Sequence, residues 1–270
     1  MAGPPACGAN PLVRGRPPGR PSAREERDEG VPRGPGGPPH SHARFRVRGS
    51  ARYNGEFPMP TRGLFITFEG MDGSGKTTQI ERLAARLRAM GRTVVETAEP
   101  GGPPISMKIR RILLDSANQE LSPVTEVLLY FASRAQNVDE WIVPALARGD
   151  IVLSDRFTDS SLVYQGHGRA LGGAAIAELE RIACRGVKPD LTILVDVDAG
   201  ASLARARARN AAHPHCETRM DDQSLEFHRR VWDAYHALAA AEPDRVKVVD
   251  GRAAIDAIEL EIWNIVSAYV

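Results

Sequence analysis

The sequence predicts an α/β fold in which a parallel sheet of five strands is covered by helices on both faces. From residue 64 onward, five short apolar segments alternate with longer segments of helical pattern, and this alternation is typical of parallel sheets. The apolar segments are nearly continuous in hydrophobicity, as expected for strands buried on both faces. The chain has 270 residues, of which 42% are hydrophobic, enough for one large domain or two small ones.

The predicted strands share a high content of β-branched and other large apolar side chains over short stretches. They are residues 64–68, 93–98, 151–154, 191–197 and 246–249. The fourth of them is the clearest central strand, and Asp155 ends the third. In a fold of this kind ligands bind at the carboxyl ends of the strands, so we expect the functional residues there.

The predicted helices are residues 78–90, 122–147, 174–184, 200–209, 224–240 and 254–269. The first ends at Gly91, since glycine tolerates the left-handed backbone of a helix terminus. Ser122 can cap the second helix, and Pro123 fits its first turn, where no N–H is lost. Pro144 is expected to kink that helix. Residues 210–217 are expected to form a loop.

The bulk composition argues against several classes of protein. The net charge is +1, so no global field favours nucleic acid or an anionic membrane as a partner. No apolar run approaches the length that spans a bilayer. The cysteines have neither paired nor metal-binding spacing, which predicts free thiols in a reducing cytoplasm. They are Cys7, Cys184 and Cys216.

Residues 1–58 differ in composition from the rest of the chain. They are rich in Pro, Gly and Arg, contain no Lys and show no apolar periodicity, so we expect them to be disordered. An Arg-rich transit peptide is an alternative, although the acidic run at 25–29 and the prolines oppose an amphipathic helix. Our preferred interpretation is that Met59 is the true start, so that residues 59–270 form the folded domain.

The glycine-rich segment between the first strand and the first helix carries the strongest functional signal. Residues 70–77 match the pattern GxxxxGK[ST] of a phosphate-binding loop. Glycines let backbone N–H groups turn toward phosphate oxygens, and the following helix adds its positive end. Lys76 can reach the β- and γ-phosphates, and the Thr77 hydroxyl can bind Mg²⁺. The fold prediction therefore becomes a P-loop NTPase-type sheet. The residues predicted to bind the nucleoside triphosphate are Gly70, Met71, Asp72, Gly73, Ser74, Gly75, Lys76, Thr77 and Thr78.

Polar residues at the ends of the other strands predict a second anionic ligand. Glu99 begins a Glu-Pro-Gly-Gly turn after the second strand, and Arg156 follows Asp155 at the end of the third. An Arg at such a place can form a surface salt bridge. Beside a phosphate loop, a planar guanidinium that binds phosphate oxygens is the better interpretation.

Two residue groups on helices have both a functional and a purely structural interpretation. Tyr130 and Arg134 lie four residues apart and share a helix face, so they could bind a base or be a core Tyr and a surface Arg. Arg205 and Arg209 also share a face, and Arg219 follows. These arginines predict either a solvated basic helix end or an Arg-rich lid over residues 205–222 that neutralises a transferring phosphoryl group.

Taken together, these motifs resemble the thymidylate kinase family in its bacterial form. The resemblance covers residues 63–268, and the order and spacing of its blocks are more specific than the phosphate loop alone. The matching blocks are residues 68–78, 99–102, 109–114, 130–136, 155–166, 189–191 and 204–209.

The resemblance implies phosphoryl transfer from ATP to dTMP, giving ADP and dTDP, with Mg²⁺ as cofactor. It also implies a cytoplasmic homodimer that supplies thymidine nucleotides for DNA synthesis. Lys76 and the loop N–H groups would hold ATP, and Thr77 would hold the metal. Asp72 would lie by the 3′-hydroxyl of the acceptor sugar, and Tyr164 would pack near that sugar and disfavour a 2′-hydroxyl.

The acceptor site is likewise implied by the resemblance. Arg110 and Arg156 would hold the dTMP phosphate. Tyr130 takes the place of a base-stacking Phe, and Arg134 would hydrogen-bond the thymine edge with help from Ser161. The full set of residues expected to bind dTMP is Asp72, Glu99, Arg110, Tyr130, Arg134, Arg156, Ser161, Tyr164 and Gln165.

The resemblance further implies that the catalytic guanidinium comes from the lid, because the phosphate loop contains no Arg. Arg209 is the preferred candidate, followed by Arg205 and Arg219. The segment at 213–216 carries two His and one Cys. It is expected to be a flexible lid tip, and a metal site there is the alternative.

The sequence departs from the family pattern at four positions near the acceptor site. Ala98 replaces an Arg, Pro103 a Thr, Met107 an acidic residue and Tyr130 a Phe. These departures bear on how the acceptor phosphate loop is built. Two other functions stay open: a kinase of another nucleoside monophosphate, and a P-loop switch that binds ATP without transferring phosphate.

Overall fold

The computed structural model describes residues 62–212 and 217–270, and the structural statements below refer to these residues. The expected disorder of residues 1–58, the start at Met59 and the nature of the lid tip lie outside them.

The described chain alternates strands and helices. In order, the elements are β1 (Phe65–Glu69), α1 (Lys76–Ala89), β2 (Val94–Ala98), α2 (Pro104–Leu114), α3 (Pro123–Asn137), the π-helical segment Val138–Ile142, α4 (Val143–Ala147), β3 (Ile151–Asp155), α5 (Thr158–Ser161), the π-helical segment Leu162–Gly168, α6 (Gly173–Cys184), β4 (Leu191–Asp196), α7 (Ala199–Ala212), α8 (Leu225–Ala241), β5 (Val246–Asp250) and α9 (Ile255–Val266).

The strands form a parallel five-stranded sheet in the order β2-β3-β1-β4-β5, which confirms the predicted sheet. β1 lies at its centre, with Thr67 opposite Ser154 of β3 and Thr192 of β4. Because all strands run in the same direction, Glu69 and Asp155 end at the same edge. That edge is where the predicted ligand site belongs.

Helices cover both faces of the sheet, as predicted. On one face, Ile66 and Phe68 of β1 pack in a cluster with residues of α1 and α9. On the other face, Phe65 packs with residues of α3, α4 and α6, and α8 packs beside β4 and β5. This division follows the two-residue period of a strand. Cys184 is a buried free cysteine on this second face, as predicted.

The predicted helix over 122–147 is helical throughout, but its winding changes near the end. Ser122 caps it by accepting a hydrogen bond from the Thr125 N–H at 3.2 Å. The π-helical segment Val138–Ile142 comes directly before Pro144 and α4. Because a proline ring clashes with the carbonyl four residues earlier, a wider turn is one way to accommodate it. This change of winding lies directly before the position where the kink is expected.

Three segments differ from the prediction. α7 continues to Ala212, so the prediction of a loop is wrong for residues 210–212; the two alanines are good helix formers. The sequence pattern predicts no element for α2 or for the helical stretch from Thr158 to Gly168. α2 begins with two prolines, and π-helical turns lack the period of 3.6 residues. None of the described helices is long and apolar enough to cross a bilayer.

Candidate active site

The phosphate loop joins β1 to α1 and needs its glycines. Gly70, Gly73 and Gly75 have φ angles of 130°, 82° and 99°, which side chains rarely tolerate. Gly75 precedes the first turn of α1, which is capped by none of the described side chains and has no acidic residue. The N–H groups of that turn are therefore available to an anion.

Lys76 and Thr77 open α1 beside the loop. The Lys76 Nζ donates to the carbonyls of Gly70 and Met71 at 3.1 and 2.9 Å, so the side chain folds back over the loop. Burial lowers the pKa of Lys76, and the neighbouring Arg156 lowers it further. Thr77 Oγ1 donates to Asp155 Oδ2 at 3.1 Å, which places a hydroxyl and a carboxylate side by side at the sheet edge.

A cavity of about 770 Å³ extends from the phosphate loop to α3. It brings together most of the predicted site residues from separate parts of the chain. Those on its wall are Asp72, Gly73, Gly75, Lys76, Thr77, Thr78, Glu99, Arg110, Tyr130, Arg134, Arg156, Ser161, Tyr164, Gln165, Arg205 and Arg209. Gly70, Met71, Ser74 and Arg219 are not on it, and the last three are buried.

Arg156 lines this cavity, and several groups hold its guanidinium. Nη1 donates to Ser160 Oγ at 3.0 Å and to Tyr235 OH at 3.1 Å. Nη2 donates to Asp72 Oδ1 at 3.0 Å and to Tyr164 OH at 3.4 Å. Burial by itself would raise the pKa of Asp72, but the positive charges of Arg156, Lys76 and Arg209 together outweigh it and hold that pKa well below its usual range.

Arg110 reaches the same region from α2. Its Nε and Nη2 contact one carboxylate oxygen of Glu217 at 3.0 and 2.9 Å, and Nη1 donates to the Pro100 carbonyl at 2.8 Å. The Glu99–Pro100 peptide bond is cis. Of the departures from the family pattern, Ala98 and Met107 lie on the cavity wall, and Pro103 precedes α2.

Arg134 of α3 lines the cavity and is buried, with only 1% of its surface exposed. Nε donates to Glu99 at 2.5 Å, Nη1 to Ser161 Oγ at 3.0 Å and Nη2 to the Phe157 carbonyl at 2.9 Å. Three directions of its guanidinium are therefore fixed by the protein. Burial raises the pKa of Glu99, although Arg134 opposes this effect.

Tyr130 of α3 and Gln165 also line the cavity. Tyr130 is partly buried on the wall, and burial raises its pKa to about 12, so its hydroxyl stays protonated. Gln165 donates to Glu126 at 3.0 Å. Both side chains therefore present neutral polar groups near a fixed guanidinium.

The three lid arginines differ in position. Arg205 donates to the Gly251 carbonyl at 3.1 Å, and Arg209 contacts Asp221 at 3.4 Å. Both line the cavity. Arg219 is buried, donates to the Leu113 carbonyl and pairs with Glu126 at 2.7 Å. The geometry therefore favours Arg205 and Arg209 over Arg219 for contact with a phosphoryl group.

The cavity wall also contains residues outside the predicted set, among them Asp155, Ser160 and Asp221. Asp155 has a sequence signal, since it ends a strand directly before Arg156. Ser160 and Asp221 have none, because their position depends on how α5 and the lid pack.

The fold and the cavity define a P-loop phosphotransferase of two anionic ligands. Residues of the phosphate loop and the guanidinium groups of several arginines line the same cavity. This arrangement is suited to transfer between two phosphorylated molecules.

Comparison with known proteins identifies the family. The family model "Thymidylate kinase" matches residues 68–262. The thymidylate kinase of Pelobacter propionicus is 52% identical over 198 residues, which cover 73% of this chain and 90% of that protein. The thymidylate kinase of Geobacter sulfurreducens is 51% identical over 204 residues, which cover 75% and 96%. A crystal structure of thymidylate kinase from Ehrlichia chaffeensis has a TM-score of 0.62 at 32% identity, covering 76% of this chain and 99% of that one.

This chain belongs to the thymidylate kinase family. The predicted fold class and the predicted reaction, ATP-dependent phosphorylation of dTMP to dTDP, are confirmed by this membership. The roles of individual site residues stay predictions.

Proposed function

We propose that ATP and dTMP bind end to end in the cavity, so that the γ-phosphoryl group of ATP faces the phosphate of dTMP. The observation that supports this proposal is a single cavity that residues of the phosphate loop and Arg134 of α3 both line. Arg156 lines the same cavity and contacts Asp72 of the loop. Because phosphoryl transfer depends on positioning and charge neutralisation, such an arrangement is sufficient without a covalent intermediate.

The donor end binds ATP through the loop and α1. The N–H groups of residues 70–78 contact the phosphates, and Lys76 turns from the loop carbonyls to the β- and γ-phosphates. The positive end of α1 adds to this attraction.

The acceptor end binds dTMP through two arginines and a base pocket. Arg110 and Arg156 hold the phosphate. The contact of Arg110 with the Glu217 carboxylate supports this role. Nε and Nη2 of Arg110 both contact one carboxylate oxygen there, and phosphate oxygens suit the same pair of donors. Tyr130 stacks on thymine, and Arg134 donates to the base edge from its fixed position.

The sugar of dTMP lies between these two ends. Asp72 accepts from its 3′-hydroxyl, and Tyr164 packs against the ring. Glu99, Ser161 and Gln165 make the pocket polar, and Glu99 and Ser161 hold the Arg134 guanidinium in place. In the lid, Arg209 and Arg205 approach the transferring phosphoryl group.

We also propose that Mg²⁺ binds beside Thr77. The hydroxyl of Thr77 and the carboxylate of Asp155 are 3.1 Å apart on the cavity wall, and hard oxygen donors suit this ion. No group of three acidic, His or Cys side chains that could hold a metal occurs within the described ranges. Mg²⁺ commonly uses few protein ligands when phosphates and water supply the rest. Bound there, it would neutralise charge on the β- and γ-phosphates.

A cytoplasmic homodimer is the assembly that we propose. Ile105 and Ile112 of α2, and Val124 and Leu128 of α3, are about half exposed. α2 packs against α3, so these apolar side chains lie on neighbouring helices. A second copy that covers them would gain roughly 25 cal/mol for each Å² of apolar surface buried. The buried free thiol of Cys184 is compatible with the reducing cytoplasm.

A coupled assay of ADP release tests the proposed substrate. We expect dTMP to be phosphorylated faster than dCMP, dUMP or AMP, because the base pocket presents Tyr130 and Arg134. Faster turnover of dCMP or AMP would indicate another monophosphate kinase, and no ADP with any acceptor would indicate a non-catalytic switch.

A further inference from the structure

Glu69, the last residue of β1, is a carboxylate that the roles proposed above do not use. It is fully buried and lies off the cavity wall. It accepts hydrogen bonds from the Phe157 N–H at 2.8 Å, from Ser160 Oγ at 2.5 Å and from Tyr235 OH at 2.8 Å. Its partners belong to the segment after β3 and to α8, so one carboxylate joins three separate parts of the fold.

The hydrogen bonds around Glu69 have a defined direction. Ser160 and Tyr235 contact the same oxygen, Oε2, and each hydroxyl has only one proton. Because an ionised carboxylate accepts but does not donate, both protons point at Glu69. The lone pairs of both hydroxyls are then free for Nη1 of Arg156, which lies 3.0 and 3.1 Å away. A guanidinium only donates hydrogen bonds. With their protons turned toward Glu69, the hydroxyls of Ser160 and Tyr235 can both accept from Arg156.

The carboxylate also supports the backbone beneath the Arg156 side chain. Arg156 has a φ of 74°, which is uncommon for a residue other than glycine. Its N–H donates to the Phe68 carbonyl at 2.9 Å, and the next N–H, that of Phe157, donates to Oε1 of Glu69. One oxygen of Glu69 therefore holds the peptide, and the other orders the hydroxyls that hold the guanidinium.

We propose that Glu69 is a positioning residue that aims Arg156 at the acceptor phosphate through Ser160 and Tyr235. It touches neither nucleotide. This inference rests on the proposed binding of the dTMP phosphate by Arg156. It predicts a change in the KM for dTMP and none in the KM for ATP. The reason is that the ordered hydroxyls contact Arg156 and no residue of the phosphate loop.

Burial and neighbouring charges bring the pKa of Glu69 close to neutral pH. Burial and the carboxylate of Asp159 raise the pKa of Glu69 to about 7, while Arg156 opposes that rise. The titratable and charged groups that face it are Asp159 and Arg156 after β3, Lys76 of α1, Arg134 of α3 and Tyr235 of α8.

Protonation of Glu69 reverses one of these hydrogen bonds. A neutral carboxyl group donates its own proton to Ser160 or Tyr235, and that hydroxyl must then turn its proton toward Arg156. The guanidinium loses an acceptor as the pH falls through about 7. The KM for dTMP is therefore expected to rise on the acid side, while the KM for ATP is not.

The test compares wild type with Glu69→Gln in steady-state kinetics on both sides of pH 7. Above that pH we expect the KM for dTMP to rise about tenfold in the variant, as for loss of a charge-assisted hydrogen bond. The KM for ATP should stay unchanged. The dTMP phosphate itself titrates with a pKa of about 6, so the KM for dTMP depends on pH in both proteins. The pH dependence that is present in wild type and lost in Glu69→Gln is the part that Glu69 causes.

Two further variants serve as controls. Glu96→Gln changes a carboxylate of β2 that pairs with Arg88 at 2.6 Å and lies off the cavity wall; both KM values should stay at wild-type level. Tyr235→Phe removes one ordered hydroxyl and keeps the ring. It should raise the KM for dTMP less than Glu69→Gln does, and it decides the question if Glu69→Gln does not fold.

Arg156→Lys separates this inference from the proposed function. If it leaves the KM for dTMP unchanged, Arg156 does not hold the acceptor phosphate, and the inference fails with that assignment. If Arg156→Lys raises this KM but neither Tyr235→Phe nor a folded Glu69→Gln does, the inference alone is overturned.

Discussion

Individual arginines along the cavity differ in how firmly the protein holds them. Arg134 is buried and bonded in three directions. The Arg209 side chain is 50% exposed, and its contact with Asp221 is 3.4 Å long. A fixed guanidinium can select the edge of a base, whereas a loosely held one can follow a phosphoryl group as charge develops. These differences match the separate roles proposed for the two residues.

Arg209→Ala should lower kcat by at least about a thousandfold, as expected when a guanidinium that stabilises the transition state is lost. The KM values should change much less, because the Arg209 side chain is half exposed in the structure and its contact with Asp221 is long. Turnover measured at saturating ATP and dTMP checks this expectation.

Arg207→Ala is the matched control for that experiment. Arg207 lies on the same helix and carries the same charge, but it is exposed and off the cavity wall. Its replacement should leave turnover near the wild-type value. Equal losses in the two variants would mean that the general charge of α7, and not Arg209, supports the reaction.

Among the elements, α7 and the phosphate loop are in close contact. A Cβ added at Gly73 would lie 2.6 Å from the Ser202 carbonyl oxygen and 2.9 Å from the Ala206 nitrogen. Both are backbone atoms of α7, so neither can move away as a side chain could. The glycine thus serves the packing of the lid helix as well as the curvature of the loop.

Gly73→Ala should destabilise the protein by about 2 kcal/mol or more, from the left-handed backbone and the overpacked contact together. ATP affinity should fall with it, because the loop must shift. Denaturant unfolding and ATP titration measure the two effects.

Gly173→Ala provides the control at the level of elements. Gly173 begins α6, and an added Cβ there would meet only the Leu162 side chain at an ordinary 3.7 Å. Stability should be unchanged or slightly higher, since alanine favours the helix. If both variants unfold alike, close packing against α7 is not the cause.

At the scale of the whole molecule, α3 lies on the face of the sheet opposite α1 and α9, and it carries exposed apolar side chains together with α2, which packs against it. Leu128 is 50% exposed there. A charge at this position would be buried in the proposed dimer but solvated in a monomer. Assembly is therefore sensitive to that one residue.

Leu128→Glu should shift the protein from dimer to monomer in light scattering coupled to size exclusion. Leu260→Glu is the control, because Leu260 is 56% exposed on α9, across the sheet. The Leu260→Glu variant should keep the molar mass of the dimer in the same measurement. A monomeric wild-type protein, or a dimer that survives Leu128→Glu, would contradict the proposed interface.

The sequence by itself determined the features that depend on local pattern. The strands could be predicted because each buries a run of apolar side chains, and the phosphate loop because its glycines and Lys76 are contiguous. Arg156 could be assigned to the ligand edge since it directly follows a strand. The long helix from Ser122 was recognisable by its cap and its first-turn proline.

Only the tertiary structure decided how distant polar groups meet. Tyr235 is 166 positions from Glu69, yet the two share a hydrogen bond. Arg219, assigned to the lid from sequence, is buried in an ion pair with Glu126. A buried polar group is stable only with partners, and those partners come from whichever elements pack beside it. Periodicity shows which face of an element is apolar, but not which distant hydroxyl or carboxylate that packing brings to a given side chain.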